Sequence, residues 1–286
     1  MYMPIKVTPR GPLIAIGGAE DRTSESEILR NVLALSKKSA PVVAVITTAS
    51  SIPDEVFEGY ESAFGSLGAS EVLHVRIHNR ADANDPHFVD MIERSDVIFL
   101  SGGDQMRLTY IFGGSNALAA IRRLHAEGKV IAGTSAGAAC QSSTMVYGGS
   151  ADDSLRKGAV KMSAGFGLVE GIIIDTHFLE RGRFSRLMEV GATNPEYLGV
   201  GLGEDAGVLF EDDHIIAFGR GHVIIVDSSE TTGSNVFNLS DGEPVSVHNV
   251  KMHALVKGYG YRLSDRKVLG PEDLGGELLE KRIEYT

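Results

Sequence analysis

A three-layer α/β domain built on a mostly parallel sheet, extended by extra strands near its C-terminal end, is the fold class that the sequence predicts. Three observations predict it. Short apolar runs alternate with segments of helical spacing through the first half of the chain. Those runs are apolar without interruption, as strands buried on both faces must be. The chain has 286 residues, 43% hydrophobic and 23% charged, enough for one large core that needs no staples. No internal repeat, low-complexity linker or break in composition divides it, so residues 1–286 read as a single domain.

The elements follow in order. Leu13 to Ile16 is a strand ending at Gly17-Gly18. Glu25 to Leu35 has helical spacing at Ile28, Val32 and Leu35. Val42 to Ile46 is a buried strand. Asp54 to Leu67 is a helix with Pro53 at its start, where a missing N–H costs nothing. Val72 to Ile77 is a strand, Pro86 to Glu93 a helix and Val97 to Leu100 a strand. Asn116 to Ala126 is helical and stops at Gly128. Val130 to Ala132 leads to Ser135 and a further helix. Gly148 to Gly167 reads as irregular. Ile172 to Asp175 is a strand, Arg183 to Val190 a helix and Leu198 to Leu202 a strand. Short strands then follow at Ile215–Phe218, Val223–Val226, Val245–His248 and Met252–Val256, as extensions of the same sheet or a hairpin annex.

Charge and cysteine content exclude several functions. A formal net charge of -11, from 38 acidic and 27 basic residues, argues against a nucleic-acid partner and against electrostatic attachment to a membrane. The one cysteine, Cys140, allows no intramolecular disulfide and no Cys-based zinc cluster. Met1 to Pro12 lacks the apolar core of a signal peptide, and no apolar run approaches a membrane span. The expected compartment is the cytoplasm.

The sharpest local signal is Gly133-Thr134-Ser135-Ala136-Gly137, between a strand and a small-residue segment able to start a helix. A nucleophile elbow needs that setting, and the small neighbours relieve its sharp, strained turn. A Gly-x-Ser-x-Gly string alone is as easily a tight turn. The strand before it and the helix after it favour a nucleophile, with the Ala136 N–H as an oxyanion donor. A serine hydroxyl needs a base, and His177 stands at a strand end in Asp175-Thr176-His177-Phe178, where a partner belongs in an open α/β sheet. A histidine there can equally cap a strand or pair with Asp175. Arg181, Arg183 and Arg186 follow closely. Such a run is usually a solvated helix face, but beside a catalytic base it also suits carboxylate binding. Gly102-Gly103-Asp104-Gln105 offers a second oxyanion donor at Gly103. Gly17-Gly18-Ala19-Glu20-Asp21 is no dinucleotide loop: the third glycine is missing, and two acids would repel a pyrophosphate.

Together these motifs resemble the cyanophycinase family of serine peptidases. The resemblance rests on Gly17 to Asp21, Gly102 to Gln105, Gly133 to Gly137, Asp175 to Phe178 and the spacing of the three arginines, and runs from about residue 11 to 210. It implies a flavodoxin-like or class I glutamine amidotransferase-like topology and a homodimer. It also implies a substrate, cyanophycin, a poly-aspartate carrying arginine on each β-carboxyl, cleaved to β-Asp-Arg dipeptides with no metal or organic cofactor. The roles it implies are Ser135 as nucleophile, His177 as base and Glu204 as the orienting acid, with Asp153 as a rival acid. Gly103 and Ala136 would form the oxyanion hole. Asp104, Gln105, Asp175, Thr176, Arg181, Arg183 and Arg186 would contact substrate. Strand-end placement favours Glu204 over Asp153, which lies in an irregular segment. Thr176 stands where the family has glutamine, which removes one polar contact. An aspartyl dipeptidase with the same triad and a catalytically silent scaffold module are the alternatives. The triple-arginine run favours the polymer enzyme.

Overall fold

The computed structural model describes residues 11–149 and 155–274. Five strands, β1 (Leu13–Ile16), β2 (Val42–Ile46), β3 (Glu71–Val75), β4 (Val97–Leu100) and β5 (Val130–Thr134), lie parallel in the order β3-β2-β4-β5-β1. Between them run α1 (Glu27–Ala34), α2 (Pro53–Ser66), α3 (Pro86–Glu93), α4 (Gln105–Phe112) and α5 (Asn116–Ala126), and β5 turns directly into α6 (Ala136–Ala139).

Alternate residues of each strand feed opposite faces of the sheet. On one face Ile14, Ile16, Val45 and Phe99 pack with Ile28 and Val32 of α1 and with Tyr60 and Phe64 of α2. Phe99 is fully buried, its ring centroid 4.6 Å from Tyr60 and 5.3 Å from Phe64. Truncating such a ring to alanine costs about 3–5 kcal/mol. On the other face Ala44, Ile46, Ile98 and Leu100 pack with Ile92, Leu108, Leu118 and Ile121 of α3, α4 and α5.

The strands expected as extensions of the same sheet or a hairpin annex divide between two sheets. β6 (Thr144–Gly148) and β7 (Lys161–Ala164) form an antiparallel ribbon, its second strand inside the stretch read as irregular. β8 (Ile172–Thr176) and β9 (Leu198–Leu202), joined through α7 (Phe184–Thr193), are parallel, but they belong to a second sheet. The chain returns to the main sheet with β10 (Ala206–Glu211), antiparallel to β1, and β11 (His214–Gly219). β12 (Val223–Asp227) crosses back to pair with β9. β13 (Gly233–Ser234) and β14 (Val247–His248) make a small ribbon, and β15 (Lys251–Leu255) closes the second sheet as β15-β12-β9-β8. β16 (Gly260–Arg262) and β17 (Lys267–Leu269) complete a nine-stranded main sheet. Ile172, Ile174, Val200 and Leu202 of the second sheet join the core that α3 to α5 cover. Its other face buries Ile173, Ile224 and Val226 against Leu187 and Val190 of α7. A large mixed α/β fold with a parallel centre is therefore present, with a second sheet rather than one continuous extension.

Asp96, at the entry to β4, ties the start of the sheet together. Its carboxylate lies 2.7 Å from Lys38 Nζ and 2.8 Å from Lys129 Nζ, and accepts the Val42 N–H at 3.1 Å. Burial pushes the carboxyl up, but the two ammonium groups and the amide outweigh it and hold it at about 2. A carboxyl depressed on folding contributes stability that is full above its unfolded range, near ~4, and lost as pH falls through the folded value. The stability gap between the parent and Asp96→Asn should therefore narrow between pH 5 and 2 in thermal unfolding. A gap constant with pH would remove this role from Asp96.

Candidate active site

Ser135 sits where β5 ends and α6 begins, with φ 52° and ψ -113°. That left-handed backbone is uncommon for a residue with a Cβ and persists only where its surroundings over-determine it. They do so here. The Ser135 N–H donates to the Ile16 carbonyl at 3.0 Å. A Cβ on Gly137 would lie 2.2 Å from the Leu100 carbonyl oxygen, so only glycine lets the first turn of α6 press onto β4. The parallel register sets Ile16 opposite Thr134, which places the Gly17-Gly18 turn beside the serine.

β8 and β9 deliver the other two groups. Thr176 stands opposite Leu202 in parallel register, so His177 and Glu204 leave the same edge of the second sheet. His177 Nε2 lies 2.9 Å from Ser135 Oγ, and Nδ1 lies 2.7 Å from Glu204 Oε1. With the carboxylate at Nδ1, the network assigns the ring proton there and leaves Nε2 to accept from the hydroxyl. The imidazole is mostly covered, with 14% of its side chain exposed, whereas 41% of the Glu204 side chain is exposed. The Glu204 N–H donates to Glu180 Oε1 at 3.1 Å, which fixes the backbone from which the acid projects. A serine, an imidazole and a carboxylate in this order form a relay able to activate the hydroxyl as a nucleophile.

The glycine turns form the walls. His177 donates its N–H to the Gly17 carbonyl at 2.9 Å. A Cβ on Gly18, whose φ is +106°, would lie 2.3 Å from the imidazole Cε1. Gly102 faces Ser135, with its own Cβ position 3.3 Å from the serine Cβ, and Gly103 packs on Ala49.

The remaining residues expected to contact substrate are placed as follows. Asp104 is the N-cap of α4 and accepts from the Met106 N–H at 2.8 Å. Gln105 donates through Nε2 to the Val146 carbonyl at 3.1 Å, which ties α4 to the β6–β7 ribbon. Asp175 is buried. Arg183 donates through Nη1 to its Oδ1 at 3.0 Å and to the Thr176 carbonyl at 2.7 Å, while Arg186 Nε lies 3.3 Å from its Oδ2. Burial pushes the Asp175 carboxyl up and the Arg186 guanidinium down, and their mutual attraction opposes both. The sequence reading sets Arg183 and Arg186 on neighbouring positions of one helix face, either solvated or binding a substrate carboxylate. Instead Arg183 caps α7 with its side chain largely covered, Arg186 is buried, and Arg181 alone stands exposed. Asp153 lies outside the described residues. Sequence reasoning missed Glu180 and gave no role to Glu20, whose carboxylate accepts from Thr134 Oγ1 at 2.6 Å and from the Tyr60 hydroxyl. The signal was the pair of acids following a glycine turn off β1, the strand next to the elbow strand. Among the described residues no group of three or more His, Cys, Asp or Glu could hold a metal ion, and no helix is long and apolar enough to cross a membrane.

Comparison with known proteins places the chain in a family. The chain is 33% identical over 254 residues to a cyanophycinase from Geminocystis herdmanii, covering 88% of this chain and 93% of that protein. It is 34% identical over 261 residues to a cyanophycinase from Synechococcus elongatus, covering 91% and 81%. A crystal structure of a peptidase from an acI-B1 actinobacterium superposes with a TM-score of 0.65 at 21% identity, covering 89% of this chain and 97% of that one, which speaks to the fold alone. The model of peptidase family S51 matches residues 13–218, a span that holds Ser135, His177 and Glu204, and the chain belongs to that family of hydrolases.

Proposed function

We propose that this peptidase is a serine-type exopeptidase that hydrolyses cyanophycin to β-Asp-Arg dipeptides through a covalent acyl-enzyme. The observation that carries the reading is the Ser135–His177–Glu204 relay, with spacings of 2.9 and 2.7 Å. The substrate class comes from the curated relatives, which are cyanophycinases. Ser135 Oγ attacks a backbone carbonyl between aspartates while His177 takes its proton. The Ala136 and Gly103 amides bind the oxyanion as it forms. His177 then returns the proton to the leaving amine, and water, deprotonated by the same imidazole, frees the acyl group. Glu204 stabilises the imidazolium at each stage. No step calls for a metal or organic cofactor. The finer topology belongs to the same proposal: the order β3-β2-β4-β5 supports a flavodoxin-like or class I glutamine amidotransferase-like centre within a single domain. A cytoplasmic homodimer is the assembly and location we assign.

Incubating the protein with insoluble cyanophycin and following both clearing and release of β-Asp-Arg by mass spectrometry tests the reading. Intact polymer, with hydrolysis of free aspartyl dipeptides by the same preparation, would transfer the assignment to an aspartyl dipeptidase.

The arginines give a finer expectation. Arg183 Nη1 donates both to the carbonyl of Thr176, the residue before His177, and to Asp175 Oδ1, so Arg183→Lys keeps a charge but replaces a rigid planar donor by an ammonium on a flexible stem that does not hold that position. A displacement of ~1 Å at a positioned base costs on the order of 10²-fold in rate. Arg183→Lys should lose about that much dipeptide release, and Arg181→Lys only a few-fold, expressed in KM. Equal and small effects at both positions would show that Arg183 does not set the base.

A further inference from the structure

We infer that Glu20 is a positioning residue for the nucleophile, acting through the hydroxyl of Thr134. The inference rests on the reading of Ser135 as nucleophile and adds a residue that the relay itself does not contain.

The segment Ile16 to Glu20 touches every arm of the relay. The Ile16 carbonyl accepts the Ser135 N–H at 3.0 Å, the Gly17 carbonyl accepts the His177 N–H at 2.9 Å, and the Gly18 carbonyl accepts the N–H of Asp205, next to Glu204, at 3.0 Å. Glu20 adds the one side-chain tie. It is 6% exposed, and both of its oxygens are engaged. Oε2 accepts from Thr134 Oγ1 at 2.6 Å and Oε1 from the Tyr60 hydroxyl, and Tyr60 is anchored on α2 among the aromatic side chains of the core. Arg22 lies over the Tyr60 ring at 5.1 Å, which closes the outer side of the cluster.

A carboxylate buried at this point is costly unless its acceptors are filled. Filled, it becomes a rigid strut. Thr134 is the last residue of β5, and Ser135 follows it directly in a strained conformation with φ 52°. The backbone amide of Ser135 has its own tie to Ile16, but the direction of its Oγ depends on the peptide plane between Thr134 and Ser135. Fixing the Thr134 side chain to a carboxylate fixes the strand end on which that plane turns. The line Tyr60–Glu20–Thr134 thus connects the packed core under α2 to the base of the elbow.

Replacing Thr134 with valine removes the hydroxyl and keeps the shape, and replacing it with serine keeps the hydroxyl. Two readouts are needed: kcat and KM on cyanophycin, and the rate at which a fluorophosphonate labels Ser135, which requires no polymer. Thr134→Val should lower kcat and the labelling rate together by tenfold or more with KM within twofold, and Thr134→Ser should restore most of both. If Thr134→Val does not fold, Glu20→Gln is read in the same way. Labelling of Thr134→Val at the parent rate, or a serine variant as slow as the valine one, overturns the inference. Labelling of the parent at a residue other than Ser135 overturns the nucleophile and this inference with it.

Discussion

Ser135→Ala should lower turnover of cyanophycin by about 10⁶-fold while the protein stays folded, because a triad nucleophile acts as a unit with its base. The structure explains why the fold should survive. Alanine keeps the Cβ, and it meets the same φ of 52° as serine does. The Ser135 N–H still donates to Ile16, and the bonds of the Ala138 and Ala139 amides to the residue 135 carbonyl are untouched. Only the Oγ and its bond to His177 are lost. The measurement is kcat of the purified variant beside its thermal unfolding curve. Hydrolysis near the parent rate by a cleanly folded variant would remove Ser135 from the chemistry.

The second large effect is expected at Glu204. Glu204→Gln keeps the shape that reaches His177 Nδ1 at 2.7 Å but removes the charge that stabilises the imidazolium. It also allows an amide N–H to face Nδ1, which favours the tautomer with its proton on Nε2, the wrong one for accepting from Ser135. Losses of roughly 10³–10⁴-fold in kcat follow from that combination. Asp153→Asn, made in parallel, should cost far less. If the asparagine variant is the slower of the two, the orienting acid is Asp153 and the bond from Glu204 is auxiliary.

Much of the architecture could be read from the residues. Val42–Ile46, Val97–Leu100 and Leu198–Leu202 are apolar without interruption because both of their faces are covered, and they fold as the strands expected. Pro86–Glu93 and Asn116–Ala126 carry a proline and a serine cap at their starts and match the expected helices. The helix Gln105–Phe112 was missed, because its apolar residues crowd into its last turns after a polar, glycine-rich entry. The β6–β7 ribbon was missed because it is short, partly exposed and interrupted in register between Val146 and Gly148, so no alternation survives along it. The second sheet was illegible for a different reason. The run Val223–Val226 suits an edge of either sheet, and only its long-range pairing with β9 and β15 chooses one.

The site shows the same division. Ser135, His177 and Glu204 each end a strand, and strand ends can be read from a sequence. The direction of a side chain cannot. Arg183 and Arg186 have the spacing of an open basic face, yet both turn toward Asp175, and the spacing is the same either way. In the sequence Glu20 served only to rule out a dinucleotide loop at the glycine turn. Once β1 lies beside β5, that acid has two hydroxyls to serve.

The serine belongs to one sheet, and the histidine and glutamate belong to the other. At the strand ends the two sheets are tied by the bonds of the His177 and Asp205 N–H groups to the Gly17 and Gly18 carbonyls, so a slide of one sheet against the other would strain those two bonds before any ladder bond of either sheet. Such a slide would leave the content of strand and helix unchanged and part Ser135 from His177. The hydroxyl-to-imidazole distance is therefore a vernier on how the two halves are seated. Groups far from the relay that wedge into or relax the shared core between the sheets act on the reaction through that scale, without touching any residue that carries a proton.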